Sequence, residues 1–223
     1  MTRSIPRLTA AGLLAVIVTT ACTSTGNAPL RTSVAPTGGS SVGARNTVTP
    51  DGRYPFTAAD VNFMAGMIPH HAQAVQMAKW APTHNAGASL RLLCERIVVG
   101  QTDEIGLMQN WLKDRGQTVP PANAMRMHMV MNGQEHDMLM PGMLTDEEMA
   151  ALDKARGNEW DRLFLLGMIK HHEGAIQMVN ELNAAPGAAQ DEIVFKFSND
   201  VYIDQTTEIE RMHKMLTPLQ GKP

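Results

Sequence analysis

Residues 66–78 read GMIPHHAQAVQMA, and residues 167–179 read GMIKHHEGAIQMV. Few folds allow a chain to write the same paired histidine twice, in one Gly-Met-Ile, Gln-Met frame, about a hundred residues apart. The repetition extends further: Gln101-x-x-Glu104-Ile105-x-x-Met108 returns as Gln205-x-x-Glu208-Ile209-x-x-Met212, offset by 104 positions where the histidines are offset by 101. Two segments recurring in order predict two like helical hairpins. Such hairpins bury their like faces around a pseudo-two-fold axis, which makes a four-helix bundle.

Local signals place the helices. Thr57 with Asp60 reads as a capping-box start, and the first helix runs to about Trp80, before Pro82. A second helix covers about 88–115 and stops at Gly116. Thr145 with Glu148 caps a short helix, Gly157-Asn158 opens a third long helix to about Ala184, and a last helix runs from about Ala188 to Leu216. No segment shows sustained alternation, so the predicted class is all-α. The organisation is repeat 1 over 57–115, a Met-rich connection over 116–157 and repeat 2 over 158–217.

The helical repeat gives the frame a chemistry. At about 100° per residue, Met64, Met67, His70, His71, Ala74 and Met77 share an arc of roughly 140°. Leu165, Met168, His171, His172, Ala175 and Met178 share the corresponding arc of the third long helix. Opposite them, Gln101, Glu104 and Met108 form one face of the second helix, and Gln205, Glu208 and Met212 one face of the fourth. A buried imidazole or carboxylate needs a partner. Either the histidines and glutamates satisfy one another, or the paired histidines and their methionines hold a metal, with Glu104, Glu208, Gln101, Gln205, Met108, Met212 and His213 as supporting groups or further ligands.

Methionine is the compositional anomaly, at 17 residues against 4% aromatics. It concentrates in AMRMHMVMNGQEHDMLMPGM, residues 124–143, where Met127, Met129, Met138, Met140 and Met143, with Met125 and Met131, surround His128 and His136. Thioethers suit Cu(I), and imidazole suits Cu(I) and Cu(II), so the stretch favours copper over zinc, magnesium or calcium. The competing reading is an adaptable hydrophobic cover over the bundle.

The N-terminus, MTRSIPRLTAAGLLAVIVTTAC, has the layout of an export signal: two arginines, an apolar run and small residues before Cys22. Thr19-Thr20-Ala21-Cys22 resembles a lipobox, with Thr19 where leucine is usual, so residues 1–21 read as a lipoprotein signal and Cys22 as the lipidated first mature residue. Cleavage to a freely secreted protein is the alternative. Residues 22–56 carry hardly any large apolar side chain and read as a flexible linker with a reach of roughly 30 Å. Cys94, among apolar neighbours, reads as core. A net charge of −3 gives no reason to expect a nucleic-acid partner.

The frame GMIPHHAQAVQMA, its repeat FLLGMIKHHEGAIQM, the segment MPGMLTDEEMAAL and the two Gln-x-x-Glu-Ile runs together resemble the DUF305 family of exported bacterial proteins, over roughly Thr57 to Leu216. The resemblance implies a ferritin-like four-helix bundle and, in members with an assigned role, copper binding in the periplasm or at the cell surface. Its motif positions here are His70, His71, Met77, His171, His172 and Met178. The expectation is a non-enzymatic copper-binding lipoprotein, anchored by Cys22 at the outer face of the cytoplasmic membrane or elsewhere in the envelope, that sequesters copper or exchanges it with a donor or acceptor protein. A ferritin-like di-iron or manganese enzyme is the first rival. Only Glu210-Arg211-Met212-His213 has its Glu-x-x-His spacing; Leu107 stands three after Glu104, and Glu173 is the nearby carboxylate of the third helix. A metal-independent partner-binding lipoprotein is the second.

Overall fold

The computed structural model describes residues 55–131 and 134–219. The expected export signal, Cys22 and nearly all of the linker lie outside them. Five helices form: α1 (Ala58–Lys79), α2 (Ala88–Asp114), α3 (Asp146–Lys154), α4 (Asn158–Ala184) and α5 (Glu192–Leu216). Helix α1 packs on α2, α4 packs on α5, and α1 crosses α4, which is the expected pair of hairpins assembled as a bundle. No helix among the described residues is long and apolar enough to cross a membrane.

The caps explain the boundaries. Thr57 and Asp60 form a reciprocal capping box, and the second oxygen of Asp60 accepts the Ala189 amide at 2.7 Å, tying the start of α1 to the α4–α5 turn. Thr145 and Glu148 repeat the box at α3. The last helix begins four residues later than the sequence suggests. Asp191 takes the cap, accepting from the amides of Ile193 and Val194, and Ala189 sits at φ 54°, which is not helical. Asp191 also accepts from the Trp111 indole at 3.0 Å and pairs with Arg115, so α5 starts where it locks onto the end of α2.

The connection departs from the all-helical expectation. Strands β1 (Met127–Met131) and β2 (Gln134–Met138) pair antiparallel, with Met127 opposite Met138 and His128 opposite Asp137. Strand β2 is exposed along its length, whereas Met127 at the start of β1 is buried against α1 at Gly66.

The core divides into two apolar clusters. One holds Ala74, Met77, Leu93, Ile97, Trp160, Phe164, Met168 and Met212; the other holds Phe63, Met64, Met67, Ile105, Met108, Trp111, Ala175 and Met178. Equivalent residues of the two repeats fall in opposite clusters: Met67 against Met168, Ala74 against Ala175, Met108 against Met212. That exchange is the signature of the pseudo-two-fold axis. Between the clusters, each long helix contributes a short polar segment.

Candidate metal centre

The frame glycines and methionines interlock across the axis. A β-carbon on Gly66 would stand 3.5 Å from the Met178 methyl, and one on Gly167 would stand 3.5 Å from the Met77 methyl. The glycine opening each copy therefore receives the methionine closing the other. This packing sets α1 and α4 close enough for the histidines between those positions to meet.

All four histidines are fully buried. The rings of His70 and His171 lie 3.8 Å apart, inclined at 42°, while His71 and His172 turn toward α2 and α5. His71 Nε2 lies 2.7 Å from a Glu104 oxygen and His172 Nε2 lies 2.8 Å from a Glu208 oxygen. His70 Nε2 lies 3.0 Å from the Pro141 carbonyl. A carbonyl only accepts, so His70 carries its proton on Nε2 and a lone pair on Nδ1 when neutral. The carboxylates impose the same tautomer on neutral His71 and His172. The Nδ1 atoms of all four rings, and Nε2 of His171, have no protein partner.

Burial dominates the electrostatics. Desolvation, reinforced by the neighbouring imidazoles, brings the His70 pKa down to about 3 and holds His171 well below its ordinary value. Burial also lowers His172, although Glu208 pulls the other way. These three rings are neutral near pH 7, the form in which imidazole offers a lone pair to a metal.

Residues 140–144 lie across α1 and α4, and the two frames differ where they receive them. Gln73 donates to the Leu144 carbonyl at 2.9 Å and accepts the Leu144 amide at 2.8 Å. Its counterpart, Gly174, has no side chain because a β-carbon there would overlap the Pro141 carbonyl; Gly142, at φ +76°, makes the other half of that approach. Glu148 and Lys170 add an exposed ion pair between α3 and α4. None of these roles is visible in the repeat itself, but the mismatch Gln73/Gly174 within an otherwise matched frame marks them.

The segment also delivers thioethers. Around the β-carbon position of Gly66 stand the sulfurs of Met140 at 2.7 Å and Met127 at 3.2 Å, with the Met178 methyl. Met127, Met140 and Met178 line a cavity of about 260 Å³ together with Phe63, Pro141 and Glu181. Met143 is buried beneath, its sulfur 3.2 Å from the Met140 amide nitrogen.

The remaining expected residues divide. Met67, Met77, Met168, Met108 and Met212 are fully buried, and Gln101 and Gln205 nearly so. His128 pairs with Asp137 on the exposed hairpin, where His136 and Met138 also face outward, apart from the buried rings. Met129 lies outside the residues whose side chains are described. His213, Glu210 and Glu173 are exposed, so the Glu-x-x-His spacing of α5 does not turn toward the histidine layer. Cys94 is buried, its thiol pushed up to about 12 chiefly by that burial. Among the described residues, no three His, Cys, Asp or Glu side chains converge as a metal-holding group. Any copper site here would therefore have to draw on sulfur, or on two imidazoles.

The donor chemistry fits copper: buried imidazoles with uncommitted Nδ1 atoms, three of the rings held by acceptors on Nε2, and soft sulfurs beside Gly66. The fold and this layer define a duplicated-hairpin four-helix bundle with a buried histidine centre. The chain belongs to the family described as "Domain of unknown function (DUF305)", matched over residues 60–216. A putative secreted DUF305 protein from Streptomyces coelicolor has the same fold, with a TM-score of 0.62 at 26% identity over 74% of this chain and 95% of that one. CopM in its Cu(I)-bound form aligns with a TM-score of 0.56 at 26% identity over 75% of this chain and 100% of that one; Cu(II)-bound and Ag-bound forms of CopM align as well. A protein of Acanthamoeba polyphaga mimivirus described as uncharacterised is 34% identical over 56 residues, 25% of this chain and 37% of its own length.

Proposed function

We propose that the protein binds copper outside the cytoplasm, as a non-enzymatic sequestering or exchange protein tethered to the envelope through Cys22. The observation that carries this is the set of five ring nitrogens on His70, His71, His171 and His172 that are buried without a protein partner. At roughly 1–3 kcal/mol for each such atom, the layer costs an amount comparable to the net stability of a small domain. The His71–Glu104 and His172–Glu208 pairs satisfy one nitrogen of each ring and leave the other, so pairing alone does not account for the layer. The copper-bound forms of CopM support the metal, and the Streptomyces relative described as a putative secreted protein supports the location.

The imidazoles would take Cu(I) or Cu(II), and Met127, Met140 and Met178 would favour Cu(I). Bound metal gives the buried lone pairs a partner. Glu104, Glu208 and the Pro141 carbonyl hold the rings in the tautomer that presents Nδ1, and the two apolar clusters exclude water from either side. The test is competition for Cu(I) between the purified protein and a chromophoric chelator. The wild type should withdraw copper, and a variant with His70, His71, His171 and His172 replaced by Gln should withdraw markedly less. Equal withdrawal by both would sink the reading.

A further inference from the structure

An open cleft of about 200 Å³ lies between α2 and α5, and its chemistry differs from that of the imidazole layer. Its lining includes two pairs related by the repeat, Gln101 with Gln205 and Glu104 with Glu208, and Asp204 lies beside them. Both glutamines are 4% exposed, and the amide oxygen of each is buried with no donor in the protein. Each glutamate commits one oxygen to an imidazole and leaves the second without a donor among the described residues. Arg96 is the cationic side chain in the lining, against three carboxyl groups.

The carboxylates alone do not converge as a metal-holding group. The two amide oxygens change the ligand count: they are buried acceptors, they repeat with the fold's symmetry, and neither a thioether nor an imidazole nitrogen lines the cleft. An all-oxygen set selects for hard cations, as sulfur selects for soft ones. We infer that this cleft binds one oxygen-seeking divalent cation of the Mg²⁺, Ca²⁺ or Mn²⁺ class, with Gln101 and Gln205 supplying amide oxygens, Glu104 and Glu208 supplying carboxylate oxygens, and water completing the shell. Its ligands are the oxygens behind His71 and His172 and not the ring nitrogens, although Glu104 and Glu208 also hold those two rings.

Mn²⁺ is a direct probe, since its electron paramagnetic resonance signal in water is lost on binding. Titrating the purified, metal-stripped protein should show one Mn²⁺ bound per chain, displaced by excess Mg²⁺ or Ca²⁺. Replacing both amides, Gln101→Leu with Gln205→Leu, should weaken Mn²⁺ about tenfold or more with far-ultraviolet circular dichroism unchanged. Gln205→Glu keeps the shape and adds a charge, so it should tighten Mn²⁺ by about threefold or more even if the double variant fails to fold. Absence of Mn²⁺ binding, undiminished binding in a folded double variant, or no tightening in Gln205→Glu overturns the inference. Copper withdrawal without Mn²⁺ binding removes the cleft site alone; Mn²⁺ binding without copper withdrawal upholds it and removes only the copper reading.

Discussion

Met178 of α4 packs against Gly66 of α1, and Met77 of α1 makes the same approach to Gly167 of α4. The outer residues of each frame thus close the opposite hairpin, and the inner residues, the paired histidines, are held between. The frame is a reciprocal contact before it is a ligand set. This is why it occurs twice, and why a single copy could not bury its own histidines.

The symmetry breaks at residues 140–144, and the break is testable. Alanine at Gly66 would meet the flexible end of Met140 at 2.7 Å, which can swing away. The helix gains up to about 1 kcal/mol from losing an interior glycine, so stability should change little. Cu(I) affinity should fall, because a thioether has been displaced. Alanine at Gly174 instead overlaps the Pro141 backbone, and Gly174→Ala should cost about 2 kcal/mol or more. Urea denaturation of the two variants beside the wild type separates these outcomes; equal costs would mean that the 140–144 segment is not seated as described.

Gln73 should carry a large share of that seating. Its amide makes both backbone bonds to Leu144, and both residues are buried. Gln73→Ala leaves a buried amide and a buried carbonyl unpartnered, an expected loss of about 2–4 kcal/mol. Hydrogen exchange at the Leu144 amide should accelerate in the variant more than exchange at Ile97 or Val201 in the helical core. A uniform acceleration would point to general destabilisation instead.

Much of this was legible in the residues, and the reasons for the remainder are physical. Helical spacing placed His70, His71, His171 and His172 on facing arcs, because a burial pattern at 100° per residue survives any tertiary detail. It could not orient adjacent rings, so His70 meeting His171 across the axis while His71 reaches Glu104 emerges only from packing. The hairpin left a signal that composition obscured: methionine at 125, 127, 129 and 131 alternates, and Asn132-Gly133 is a favoured two-residue turn sequence. An exposed strand needs no apolar face, so polar residues between the methionines do not prevent one. Met138, His128 and His136 consequently face outward, while Met127, Met140 and Met143 turn in. The late start of α5 needed Trp111 and Arg115, 80 and 76 residues away from Asp191 in sequence, which no local reading supplies.

Glu104 and Glu208 should act on copper through the rings they hold. Replacing either by Gln keeps an acceptor of the same shape but removes the charge that strengthens the imidazole as a donor. Losses of such outer partners weaken metal binding by about 10–100-fold, and Glu104→Gln or Glu208→Gln should fall in that range by chelator competition, with far-ultraviolet circular dichroism unchanged. If the variants bind copper as the wild type does, then His71 and His172 are not ligands, and the donors are to be sought at His70, His171 and the thioethers of Met127, Met140 and Met178.

The neutral imidazoles also fix how the metal-free protein responds to acid. A histidine whose pKa is depressed in the folded state binds fewer protons there than in the unfolded chain, so stability rises with pH between the two values. For His70 the window runs from about 3, its folded value, up to the ordinary 6.5. His171 and His172 shift in the same direction and add to the slope. The contribution is fully present above 6.5 and is lost progressively as pH falls toward 3, at up to about 1.4 kcal/mol per pH unit for each ring. Urea midpoints of the metal-free protein should therefore hold steady from pH 8 to 7 and drop steeply from pH 6 to 4. His171→Leu, which removes a ring with neither nitrogen partnered, should flatten the drop; an unchanged slope would show that carboxylate protonation, not the histidine layer, governs acid unfolding.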